Sequence, residues 1–192
     1  MFAAVRYLLS PWRLRFMRRY ARPAIYEMRG RLDQFASRKA RIFTTTLLDA
    51  NAEFLARAFS PAGTLSGFRD RVTMQSVRTC LGSMLIYSAN LVARNEMARD
   101  GGELVTLVSR VLGVSRESVI IRREILRKSP SSEEWMLYTW LLKDLDAPAP
   151  KFDPALEQSF GYHYLSYIGQ YKNILEKNIP AANRTRGRAQ RH

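Results

Sequence analysis

The sequence predicts an all-α protein: a multi-helix bundle with a long N-terminal helix and a basic extension at each end. Three observations lead there. Apolar residues recur at three- and four-residue spacing through most of the chain, as on one face of a helix. Ser, Thr or Asp stands before these segments, followed by Pro or by an acid three residues later, which marks helix N-termini. No apolar–polar alternation persists for more than a few residues, so no strand is expected.

Ser10-Pro11 reads as an N-cap followed by a proline in the first turn. At 100° steps, Trp12, Phe16, Tyr20, Met17, Ala21 and Leu14 fall within an arc of about 200°. Arg15, Arg18, Arg19 and Arg22 occupy the opposite arc of about 100°, and only Arg13 falls on the apolar side. Arg22-Pro23 is expected to interrupt this helix. Between Ala24 and Phe59 there is no proline and only Gly30, while Met28, Leu32, Phe35, Ile42, Phe43, Leu47, Phe54 and Leu55 form an approximate stripe. One long helix is expected, bent near Gly30 or Thr44-Thr45-Thr46.

SPAGTLSG, residues 60–67, has the composition of a loop. The next helix is expected to follow Ser66, with Val77, Leu81, Met84, Leu85, Tyr87 and Leu91 in its stripe. It contains TCLGSMLIYSANLVA, residues 79–93, a stretch with no charge. This is short of the roughly 20 apolar residues of a spanning helix, so a buried core helix is expected. Asp100 and Glu103 have capping-box spacing, Ser115 begins another helix to about Lys128, and Ser131 and Glu134 repeat the capping-box spacing. Residues 146–154 read as a linker, and Asp153-Pro154 opens a last helix that ends before Pro180. Phe160, Tyr164, Tyr167, Ile168, Tyr171 and Leu175 give that helix an aromatic packing face. The expected division is a basic amphipathic helix over residues 1–23, a helical core over 24–180 and a flexible basic tail over 181–192.

Charge is unevenly placed. The formal net charge is +14, from 31 Lys and Arg against 17 Asp and Glu. Residues 1–42 hold 11 bases against Glu27 and Asp33, and residues 181–192 hold four arginines and no acid. The remaining residues, 43–180, carry 16 bases and 15 acids, so both ends are basic and the body is balanced. Such ends attract polyanions or anionic membranes, more weakly as salt rises. The candidate phosphate or anionic-surface contacts are Arg13, Arg15, Arg18, Arg19, Arg22, Arg184, Arg186, Arg188 and Arg191. Trp12, Phe16 and Tyr20 are candidate membrane-interface residues, since aromatic side chains sit at headgroup level beneath an arginine face.

Catalysis is not expected. His163 and His192 are the only histidines and Cys80 the only cysteine, which leaves no triad, no cysteine zinc site and no internal disulfide. Cys80 lies in an apolar pattern and is expected to be a buried thiol. No glycine-rich phosphate loop is present. No metal and no cofactor are expected, and neither is a secretory signal, because Arg6 and the arginines from Arg13 break the early apolar run.

Residues 104–128, LVTLVSRVLGVSRESVIIRREILRK, resemble a helix-turn-helix. The turn is Leu112-Gly113-Val114-Ser115, with Ser109 as the small residue four before the glycine and Val119 as the apolar residue six after it. Arg122 departs from the pattern, which wants an apolar side chain there. The resemblance covers about 25 of 192 residues and implies Arg116, Glu117 and Ser118 near base edges in a major groove. The balanced charge of this region favours a plain αα-hairpin instead, so duplex DNA is not the expected partner.

The function expected from these features is that of a non-catalytic structural subunit of a large mitochondrial ribonucleoprotein, such as a mitoribosome. Its termini would hold rRNA and its helical core would pack against neighbouring subunits. RTRGRAQR favours RNA, since it resembles the arginine-glycine tails of RNA-packing proteins and has little that would enter a bilayer. Two alternatives stand beside this. One is a peripheral or accessory subunit of a mitochondrial membrane complex (an ATP synthase or a respiratory assembly), its N-terminal helix lying on cardiolipin. The other is a bacterial DNA-binding or envelope-associated protein that uses the helix-turn-helix-like segment. The expected compartment is the mitochondrial matrix or the matrix face of the inner membrane, with the bacterial cytoplasm or inner-membrane face as the alternative.

Overall fold

The structure is a computed structural model, and it describes residues 10–32, 36–99, 102–129 and 131–180. Among these there are ten α-helices and no strand, an all-α multi-helix bundle. The tail from residue 181, with Arg184, Arg186, Arg188 and Arg191, lies outside the described residues, as does Asp100.

Helix α1 (Pro11–Phe16) starts as its sequence dictates: the Ser10 side chain accepts from the Arg13 amide, and Pro11 sits in the first turn. It does not stop at Arg22-Pro23. A π-helical turn, Met17–Ala21, leads directly into α2 (Arg22–Leu32), and the Arg22 amide donates to the Met17 carbonyl five residues back. Pro23 has no amide for the carbonyl four residues earlier, and its ring crowds that carbonyl. The wider turn immediately before it relieves both demands. The helix therefore runs across the expected boundary at residue 23.

The expected single helix from Ala24 to Phe59 is instead two. After α2, Ser37 caps α3 (Arg38–Ala58) by accepting from the Ala40 amide, and Thr44-Thr45-Thr46 continue the helix unbroken. The loop that follows folds back on the end of α3, where the Leu65 amide donates to the Ala58 carbonyl. At Gly63 a Cβ would lie 2.1 Å from that same carbonyl oxygen, so this return needs glycine. A 3₁₀ turn, Ser66–Arg71, intervenes where a helix start was expected at Ser66. Thr73 and Ser76 form a reciprocal capping box that starts α4 (Met74–Val92).

Helix α4 is the axis of the bundle. It is buried at Ser76 and Val77 and from Cys80 to Asn90, with α2, α3, α7 and α8 packed around it. A helix apolar on all sides belongs inside a core, and no helix among the described residues is long and apolar enough to cross a membrane. Burial pushes the Cys80 thiol well above its ordinary pKa, so it is held as neutral thiol.

The rest of the chain wraps this axis: α5 (Arg94–Met97), α6 (Glu103–Leu112), α7 (Arg116–Lys128), α8 (Glu133–Asp144), α9 (Pro154–Gly169) and α10 (Lys172–Lys177). Gly102, not Asp100, occupies the N-cap of α6, and Ser132, not Ser131, caps α8. Ser115 and Asp153 cap α7 and α9 as the sequence predicts. The aromatic face of α9 turns inward: Phe160 and Tyr164 meet Phe54 edge-on, with ring centroids 5.5 and 4.9 Å away.

Polar groups inside the bundle are satisfied in chains. The Tyr164 hydroxyl donates to Asn51 Oδ1 at 2.8 Å, and Asn51 Nδ2 donates to the Ser88 hydroxyl at 3.2 Å. The Tyr87 hydroxyl donates to Glu134, and the Ser83 hydroxyl donates to Asp144. Buried partners of this kind tie α3, α4, α8 and α9 in one register, because leaving any of them unpaired costs about 1–3 kcal/mol.

Candidate polyanion-binding surface

The continuous helix from Pro11 to Leu32 has two faces with opposite fates. Its apolar face is locked into the bundle. Phe16 is fully buried, with its ring 5.9 Å from Phe59 at the end of α3 and about 6 Å from Trp12 and Tyr20. Trp12 is half-buried, and its indole N–H donates to the Ala56 carbonyl at 3.0 Å. Tyr20 packs half-buried on the same core. These three aromatic side chains are therefore engaged by the protein. Meeting a lipid interface would require the helix to leave the bundle.

Arg13, the arginine on the apolar side, is also engaged. Its Nε and Nη2 donate to the two carboxylate oxygens of Glu53 at 2.7 and 2.5 Å, a bidentate pair across α1 and α3. That fork geometry is the strong form of the arginine–carboxylate bond. It takes Arg13 out of the set offered to an external anion.

Arg15, Arg18, Arg19 and Arg22 point outward and are exposed, as the helical pattern predicts. Among the described residues none of the four has a carboxylate within ion-pair distance, and Arg19 lies over the Tyr20 ring at 5.5 Å. Leu14, 54% exposed, lies beside them over an open depression lined by Arg15, Arg18 and Arg19. Further along the same helix the charges are internally paired, Arg29 with Asp49 and Arg31 with Glu27, which also takes Arg78. The result is a compact row of four uncompensated guanidinium groups on a rigid support. Such a row attracts phosphates in a salt-dependent way.

Tyr26 was not picked out by the sequence analysis. It follows Arg22 by one helical turn and is 82% exposed, at the mouth of a cleft between α2 and α3. Its i+4 spacing from Arg22 was a usable signal, but the cleft's other wall comes from Asp49 and Glu53 on α3.

The helix-turn-helix-like segment is a tight hairpin of α6 and α7 on the bundle. Ser109 and Val119 are buried at the crossing, and Gly113 takes the left-handed conformation at φ 68°. Arg122, the departure from the pattern, reaches the body: it donates to the Ser83 hydroxyl at 3.2 Å and lies over Trp140. Arg116, Glu117 and Ser118 are exposed at the start of α7. The backbone and Ser115 hold the Glu117 carboxyl below its usual range, keeping a negative charge at that end.

No group of three or more His, Cys, Asp or Glu side chains placed to hold a metal occurs among the described residues. No protein family, curated protein or solved structure matches the chain. The class defined by fold and surface is thus a helical-bundle protein with one arginine-lined outer face.

Proposed function

We propose that this chain is a non-catalytic structural subunit of a large ribonucleoprotein particle. In this reading the arginine row of α1 and the basic tail bind RNA phosphates, and the helical core packs against neighbouring subunits. One observation carries the proposal: Arg15, Arg18, Arg19 and Arg22 stand exposed and uncompensated on a helix whose other face is buried. A mitochondrial particle such as a mitoribosome is the setting we propose, supported by the arginine-rich first 26 residues, which contain no acid. A peripheral position on a cardiolipin membrane would use the same four arginines. It has less support, because Phe16, which such a helix would insert, is in the core.

Two measurements test the proposal. The native protein is expected to sediment in a heavy particle that collapses with RNase; a particle that resists RNase and dissociates only in stronger detergent would transfer it to a membrane assembly. Replacing all four arginines by alanine is expected to lower the slope of log K against log salt for single-stranded RNA by up to about 3. An unchanged slope would remove the row from the binding surface.

A further inference from the structure

The row of arginines ends at a cleft with a different chemistry. Tyr26 stands at its mouth, Met17 and Ile25 give it an apolar floor, and Arg22, the last member of the row, is part of its rim. The far wall comes from α3. There Asp49 accepts from Arg29 Nη2 through Oδ2 at 2.5 Å, while its Oδ1 has no partner among the described residues. Arg29 Nε, in the same wall, is buried without a partner. The cleft is open and holds about 460 Å³, within the usual range for small-ligand sites.

Two chemistries therefore sit side by side: cations on the outer face and a carboxylate beside an aromatic ring and an apolar floor. A lipid phosphate suits the first and is repelled by the second. A nucleotide suits both, because its phosphate is an anion and its base is a flat neutral ring that presents N–H donors. Exposed aromatic rings bind unpaired bases by stacking, and a carboxylate accepts from a base amino group.

We propose that the cleft holds one unpaired base of the RNA whose phosphates lie along Arg15, Arg18, Arg19 and Arg22. Tyr26 is its stacking surface and Asp49 Oδ1 the acceptor for its amino group. This inference rests on the RNA-binding reading above. It narrows the ligand from phosphate in general to a single-stranded segment carrying guanine, cytosine or adenine at one position. Uracil is disfavoured there, since it has no amino group and two carbonyl oxygens that would face the carboxylate.

The test uses the full chain and labelled RNAs of about 12 nucleotides, within the span of a single-strand site. One is an all-uridine tract and the other the same tract with one central guanosine, and both are followed by fluorescence anisotropy at low salt. The guanosine tract is expected to bind roughly tenfold more tightly, and Tyr26→Ala to lose about that factor, while Tyr26→Phe keeps it. Tyr26 is 82% exposed, so its replacement leaves the fold intact. Asp49→Ala is expected to abolish the preference between the tracts while raising affinity for both, because it releases the charge of Arg29. Equal binding of the two tracts, or a Tyr26→Ala protein that binds as wild type while Arg18→Ala binds weakly, would overturn the base site and leave the RNA reading standing. No binding of either tract by wild type would overturn both.

Discussion

Replacing Phe16 by alanine asks whether the arginine helix belongs to the folded body. Phe16 is fully buried, and three rings surround it at centroid distances of 5.9 to 6.1 Å. Truncating a phenylalanine in such a site costs about 3–5 kcal/mol, part from lost transfer and part from the cavity left behind. In a protein of this length about 1 kcal/mol moves the midpoint by roughly 2–4 °C, so the expected fall in Tm is about 6–20 °C. Thermal unfolding followed by far-UV circular dichroism, with a parallel urea titration, measures it. Arg15→Ala serves as the control, since an exposed residue one position away should change stability by no more than about 0.5 kcal/mol. A Phe16→Ala protein that melts within about 2 °C of wild type would refute the reasoning. The helix would then be held loosely and its aromatic face free to meet another surface.

Two further outcomes concern the scaffold. Gly113→Ala is expected to cost about 1–2 kcal/mol in urea denaturation, because φ is 68° and a side chain in that region is strained. Its Cβ would also lie 2.5 Å from Arg31 Nη1, and a neutral substitution would rule out the left-handed cap. Burial pushes the Asp144 carboxyl above its usual range, against the opposing effects of the Ser83 hydroxyl, Arg122 and Lys143. A pKa raised in the folded state means the group's stabilising contribution is full below its unfolded value, near 3.8, and is lost as pH rises through the folded pKa. Asp144→Asn, which keeps an acceptor for Ser83, is therefore expected to be more stable than wild type at neutral pH, with the advantage vanishing on acidification. A difference in urea midpoint that does not change with pH would contradict that account.

Local signals were legible in the sequence and long-range ones were not. Ser10-Pro11, Ser115 and Asp153-Pro154 mark helix starts because a cap is a contact within three residues. The inward turn of the α9 aromatics and the burial of residues 79–93 followed from periodicity and the absence of charge. The break before Ser37 was hidden because neither Pro nor Gly marks it and the apolar stripe runs across it. The passage through Pro23 was hidden for another reason. Phe16 and Ala21 are five residues apart, about 140° around an α-helix, yet both are fully buried. Hydrogen bonds closing five residues back bring the two toward one face, so packing sets the π turn. At the surface the outward row of four arginines was legible from helical spacing. The capture of Arg13 by Glu53 and the wall that Asp49 gives the Tyr26 cleft were not, because their partners lie 40 and about 20 residues away on another helix.

The fate of the apolar face bears on all the uses to which an arginine-rich N-terminal helix is put. Cleavage of a targeting segment near residue 23 would remove Phe16 and Ala21 from the core and leave Glu53 without Arg13. The loss of Phe16 alone approaches the lower end of the 5–15 kcal/mol that holds a typical domain together. A processing site compatible with this fold therefore lies before Ser10. Insertion into a membrane meets the same obstacle, since each aromatic ring given to lipid opens a void beside Phe59 and Ala56. A handle for phosphates uses only the face already turned to solvent and leaves every buried contact in place. It also gains from the rigidity, because guanidinium groups fixed along one helix lose less conformational freedom on binding than the same groups on an unstructured segment.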